Sequence, residues 1–155
     1  MNLDFQRLIQ DLSINLQQPL MEPVEDSCRI SWDDIDMHIY HHEENSREFV
    51  VLTLDICGIP QGQELHFCNL MLQANYLWIG TEYATLSINP ESQKVVLCDK
   101  EYFENIEVGS LVKRVNELYQ AAMYWYELIT SKNNSISSGA LSGNLSVDNK
   151  LGIKV

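Results

Sequence analysis

Residues able to hold a metal crowd one stretch of this 155-residue chain: His38, His41, His42, Glu43 and Glu44. Imidazole nitrogens and carboxylate oxygens suit zinc and neighbouring transition metals. Their spacing works against a shared ion, because on a strand His38 and His42 take one face and His41 the other. The group reads as a solvated hairpin. His66 stands on a helix with no His or Glu at the spacing that two zinc ligands on one helical face require. Asp33, Asp34 and Asp36 sit in a polar turn, where nothing desolvates a carboxyl for acid catalysis. Four cysteines, Cys28, Cys57, Cys68 and Cys98, fall singly inside apolar stretches without CxxC spacing and read as core thiols. No GxSxG elbow, phosphate-binding Gly-rich loop or dinucleotide fingerprint occurs. A small enzyme with a site assembled from distant residues is the alternative. The residues themselves point away from catalysis and imply neither metal nor nucleotide cofactor.

The elements that would position any site follow from periodicity. Phe5, Leu8, Ile9, Leu12 and Leu16 recur at helical spacing, with Asp4, Gln6, Arg7, Gln10 and Asp11 on most of the other side. Pro19 and Pro23 forbid regular helix, so residues 17–27 form an extended linker. Cys28, Ile30 and Trp32 then alternate with Arg29, Ser31 and Asp33, and Ile35, Met37, Ile39 and His41 mark a second strand. Phe49 to Ile56 is apolar enough on both faces to be covered in part on each. The hairpin before it passes through residues 43–47. Three such strands favour an antiparallel meander over a parallel sheet, which needs long crossovers. After Gly58, Pro60 and Gly62 a helix is expected over Glu64 to Leu77. A strand from Tyr83 to Ile88, a turn over Asn89 to Gln93 and a strand from Lys94 to Cys98 come next. The last helix repeats Leu111, Val115, Leu118, Ala122, Trp125 and Ile129, widened by Val112, Tyr119 and Tyr126, and ends near Thr130.

The expected fold is therefore α+β, in the order α-β-β-β-α-β-β-α, an antiparallel sheet packed by helices. Residues 1–130 form one domain, and 131–155 a flexible Ser/Asn/Gly-rich tail with too little apolar surface to offset its ordering entropy. The closing Leu151, Gly152, Ile153, Lys154 and Val155 are a small apolar end able to dock on a partner. A net charge of −12 repels nucleic acid and anionic membrane surfaces, which leaves proteins as partners. Asp4, Arg7 and Asp11 rule out a signal-type apolar core, and no run approaches the ~18 apolar residues that read as a spanning helix. The cytoplasm is the default compartment. Trp32, Tyr76, Trp78, Tyr83, Tyr124 and Trp125 are among the large amphipathic rings favoured at protein interfaces.

The opening FQRLIQDLSINL helix, the strand FVVLTLDICGIP, the helix LHFCNLMLQANYLW with Leu72 and Asn75 in a Leu-x-x-Asn pattern, the hairpin ATLSINPESQKVVLC and the final amphipathic helix occur in one order. In that order the chain resembles a class I type III secretion chaperone of the Tir-chaperone (CesT) family over about residues 1–130. The resemblance implies a homodimer in the bacterial cytosol that binds the N-terminal region of a secreted effector and keeps it export-competent without ATP hydrolysis. Client contacts are expected on the first helix and the sheet, at Phe5, Ile9, Leu12, Ile30, Trp32 and Ile39. A dimer seam is expected either on the last helix, at Leu111, Val115, Tyr119 and Trp125, or on the hairpin, at Tyr83, Leu86, Val95 and Leu97. An alternative within the same resemblance is a regulatory chaperone that exchanges a secreted client for a regulatory protein.

Overall fold

The apolar stripe that opens the chain folds as helix α1, Leu3–Leu16, and buries Phe5, Ile9 and Leu12. Its end is a Schellman motif: Gln17 takes a φ of +54°, and the amides of Gln17 and Gln18 donate to the carbonyls of Ile14 and Ser13, each at 3.3 Å. Residues 3–18, 21–24, 26–32, 34–78 and 80–136 are described in a computed structural model. Among the described residues six strands make one sheet: β1 Met21–Val24, β2 Ser27–Trp32, β3 Ile35–Glu44, β4 Arg47–Gly58, β5 Thr85–Ile88 and β6 Lys94–Tyr102. Their order is β1-β2-β3-β4-β6-β5, and every neighbouring pair is antiparallel. Between β4 and β5 lie helix α2, Glu64–Asn75, and a 3₁₀ turn, Tyr76–Trp78; helix α3, Val108–Ile136, closes the fold.

Register explains why one face of the sheet is covered and the other is polar. Ile30, Met37, Leu54, Leu97 and Leu86 stand opposite one another across five strands, and all five are buried. The row on the reverse face is Arg29, His38, Thr53, Cys98 and Thr85. Helices contribute Phe5, Ile9 and Leu12 from α1, Phe67, Met71 and Ala74 from α2, and Leu111, Val115, Leu118, Ala122, Trp125 and Ile129 from α3 to the same core as the apolar row. Each fully buried Leu or Ile contributes roughly 1.5–3 kcal/mol relative to exposure. The β3–β4 hairpin turns on Asn45 and Ser46, at φ +52° and +60°, the two left-handed positions of a type I′ turn.

Several boundaries differ from expectation. The extended 17–27 segment contains a strand, β1, which gains its order by pairing with β2. The second helix stops at Asn75 rather than Leu77, and Tyr83 lies in a left-handed turn before β5 rather than in the strand. β6 runs on to Tyr102, because Asp99, Lys100 and Glu101 pair with Leu52, Val51 and Val50. The last helix continues past Thr130 to Ile136; residues 137–155, including the closing Leu151–Val155, lie outside the described residues. Only Cys28 is a buried thiol, pushed up to about 12 by burial, while Cys57, Cys68 and Cys98 are half-buried.

Candidate functional site

The residues expected to meet partners largely turn inward. Phe5, Ile9, Leu12, Ile30 and Ile39 are buried in the chain's own core, and Trp32 is half-buried with its ring 5.1 Å from that of Tyr119. Leu86, Val95, Leu97, Leu111, Val115 and Trp125 join that core, and Tyr119 is half-buried against it. Among the expected seam residues only Tyr83 is open to solvent, at 78 %.

A different set of apolar side chains faces outward. On α2, Phe67, Met71 and Ala74 point into the core at i, i+4 and i+7. Leu65 and Leu72, about half a turn of the helix away, and Tyr76, the extended residue that caps its C-terminus, are 77 %, 69 % and 74 % exposed. Leu77, Trp78 and Tyr83 continue the exposed apolar set beyond the helix. α2 thus carries two apolar faces, one used by the fold and one left to water. Grouped exposed apolar side chains are a recurrent feature of interaction sites in folded proteins.

The segment after α2 is held in an unfavourable shape. Leu77, Trp78, Glu82 and Tyr83 have φ values of +59°, +54°, +49° and +66°. The left-handed conformation costs a residue with a Cβ ~1–2 kcal/mol, and it persists only where surroundings enforce it. Here they do. Thr81, buried, donates its amide to the Trp78 carbonyl at 3.3 Å and its hydroxyl to the Ala84 carbonyl at 2.6 Å. The Trp125 indole donates to the Gly80 carbonyl at 3.0 Å, and the Arg114 guanidinium donates to the Glu82 carbonyl. Arg114 is itself fixed by Asp99, with Nε to Oδ2 at 2.6 Å, and flanked by Glu117 and Glu101 at 3.7 and 3.9 Å. Burial works against the Arg114 cation, but Asp99, Glu101 and Glu117 outweigh it and raise its pKa. The buried Trp125 and the half-buried Arg114 of α3 therefore brace a turn whose own large side chains project outward. Beside it a groove of about 510 Å³ runs between Gly80, Glu82 and the α3 residues Lys113, Glu117, Ala121 and Tyr124.

The groups with chemical potential elsewhere are engaged structurally. His41 faces the covered side, with Nδ1 3.8 Å from Asp26 and Nε2 3.6 Å from Glu48, and with the Phe5 and Phe103 rings at 5.6 and 5.5 Å. It departs from the solvated hairpin expected of it because its strand parity matches Ile39 and not His38. His38 stacks on Tyr40 at the other face. No group of three His, Cys, Asp or Glu side chains is placed to hold a metal ion among the described residues. A hollow of about 640 Å³ beneath the β3–β4 hairpin is lined by Glu43, Arg47, Glu48, Tyr102 and Glu104, with Arg47 bonded to the Tyr102 hydroxyl at 3.3 Å. No described helix is long and apolar enough to cross a membrane.

Sequence reasoning missed the outward face of α2, although Leu65, Leu72 and Tyr76 repeat at i, i+7 and i+11. That spacing was the available signal. Known structures share the architecture. The fold is similar to a chain of the ExsC-ExsE complex, with a TM-score of 0.67 and 16 % identity over 83 % of this chain and 97 % of that one. A chain of the HopA1-SchA chaperone-effector complex matches with a TM-score of 0.60 and 20 % identity, covering 79 % and 93 %. A chain of the ExoU-SpcU complex from the type III secretion system of Pseudomonas aeruginosa matches at 0.59 and 14 %, covering 77 % and 95 %. No curated protein sequence matches the chain significantly. The model of the Tir chaperone protein (CesT) family matches residues 7–125, so the α1-to-α3 domain described above belongs to that family.

Proposed function

We propose that this chain, a secretion chaperone by family, acts in the bacterial cytosol as a homodimer that binds the N-terminal region of a secreted effector and keeps it soluble for export. The observation that carries the reading is the outward apolar face of α2 with the braced turn at 76–83. That surface is the proposed dimer seam, with Tyr83 the member shared with the sequence expectation. Its large aromatic side chains suit a buried interface core. Client segments then meet the accessible apolar groups elsewhere, with Trp32 the remaining member of the expected set. Apolar burial supplies affinity, and ordering the client reduces it. The HopA1-SchA pair is a chaperone bound to its effector, which supports the same class of partner here. The net charge of −12 favours a neutral or basic client segment.

Two measurements test this. Light scattering at micromolar concentration should return about twice 17.8 kDa; a stable monomer across that range defeats the dimer. Native pull-down followed by reconstitution in chelator and without ATP should yield a stoichiometric secreted protein whose N-terminal region resists protease. Reconstitution that needs nucleotide or metal rejects the passive mechanism, and recovery of a regulatory protein in place of the client favours partner exchange.

A further inference from the structure

The sheet ends in two edges, β1 and β5, and an edge strand offers unpaired N–H and C=O groups to any extended chain that meets it. On β5 the parity is fixed by the Asn89 amide, which donates to the Lys94 carbonyl at 2.9 Å. Ser87 and Thr85 share that parity and turn their backbone groups toward β6, so Leu86 and Ile88 turn theirs outward. The outward groups of Leu86 are nevertheless both taken. Asn75, the last residue of α2, accepts the Leu86 amide on Oδ1 at 2.9 Å and donates Nδ2 to the Leu86 carbonyl at 3.0 Å. A carboxamide carries a donor and an acceptor side by side, which is what the backbone of an added strand would present. One step upstream, Thr81 does the same for Ala84: its carbonyl accepts the Ala84 amide at 2.9 Å and its hydroxyl donates to the Ala84 carbonyl at 2.6 Å.

We propose that Asn75, assisted by Thr81, is a strand guard that closes the β5 edge and prevents two copies of this chain from pairing β5 to β5. With Ala84 and Leu86 occupied, only Ile88 has outward backbone groups on a strand of four residues, too few for a stable ladder. Self-association is thereby directed to side-chain surfaces, whatever the client. Asn75 reaches Leu86 across eleven positions, spanned by the braced turn, whereas Thr81 holds Ala84 three positions on.

The test compares the full-length chain with Asn75→Ala and Asn75→Asp by amide hydrogen exchange and light scattering. Asn75→Ala should speed exchange of the Leu86 amide about tenfold or more while the β3–β4 ladder is unchanged. It should also produce species larger than those of the unmodified chain that grow with concentration. Unchanged Leu86 exchange, or an unchanged size distribution in a folded Asn75→Ala chain, overturns the proposal. Should the alanine variant not fold, Asn75→Asp decides: its carboxylate accepts the Leu86 amide but cannot donate to the carbonyl, so larger species support the guard and a distribution like that of the unmodified chain overturns it.

Discussion

Helices α1 and α2 are of similar length and both carry regularly spaced apolar residues, yet they divide them differently between core and surface. α1 buries Phe5, Ile9 and Leu12 in the chain's own core, with Leu8 and Leu16 packed at its margin, and on its outer side Arg7 and Gln10 separate the exposed Leu3 and Ile14. α2 buries Phe67, Met71 and Ala74, with Leu70 at its margin, and exposes Leu65 and Leu72, with the exposed Tyr76 just beyond its end. A helix with one apolar face completes a fold. A helix with two apolar faces completes a fold and still has an apolar surface to cover, and on α2 that second face is continued by a turn held in left-handed geometry.

Substitutions on the two helices should separate these roles. Phe5→Ala removes a buried ring from the core and should destabilise the chain by ~3–5 kcal/mol in denaturant unfolding. Any loss of client capture by that variant should track unfolding, and capture lost with stability intact would return Phe5 to the binding surface. The pair Leu72→Asp and Tyr76→Asp should weaken self-association more than about tenfold, ~1.4 kcal/mol or more, when light scattering is followed on dilution. Persistence of a dimer in the double variant would move the seam elsewhere. Thr81→Val keeps the volume and loses the hydroxyl that holds Ala84, at a cost of ~1 kcal/mol in thermal unfolding. A melting temperature equal to that of the unmodified chain would mean that the remaining ties hold the turn alone.

The smallest effect concerns charge near the brace. Burial, and then the neighbouring Asp99, push the Glu101 carboxyl up, against the pull of Arg114. A carboxyl raised in the fold is charged less favourably there than in the unfolded chain, so its ionised form weakens the fold above its folded pKa. That weakening fades as pH falls through the raised value. Glu101→Gln should therefore stabilise slightly at neutral pH, within the ~0.5 kcal/mol of a surface change, and the gain should vanish on acidification. Melting curves across the carboxylate range would read it, and a gain that grew toward low pH would reverse the assignment.

Much of the architecture was legible because period reports which side of an element is apolar. The faces of α1 and α3, the β2–β3–β4 meander and both hairpins follow from alternation and from turn residues such as Asn45, Ser46 and Asn89. Period does not report what covers an apolar side, which is why Ile30, Ile39, Val95 and Leu111 read equally as partner contacts and as core. The stop of α2 at Asn75 was hidden for another reason. No proline or glycine marks it, and the turn that follows the left-handed Leu77 is tied at the Trp78, Gly80 and Glu82 carbonyls by the distant Thr81, Trp125 and Arg114. β1 was hidden because four residues containing Pro23 become a strand only when β2 is alongside.

The three tryptophans sit in three different environments: Trp125 is sealed in the core, Trp32 is half-covered beside Tyr119, and Trp78 is 49 % exposed at the end of α2. The chain consequently contains its own optical gauge. A dissolved quencher such as acrylamide should reach the emission of Trp78 and spare that of Trp125, and a second copy settling over the α2 face should shield the quenchable component. Dilution would then be visible as a rise in quenching, so assembly at 76–83 can be followed in unlabelled protein by light alone.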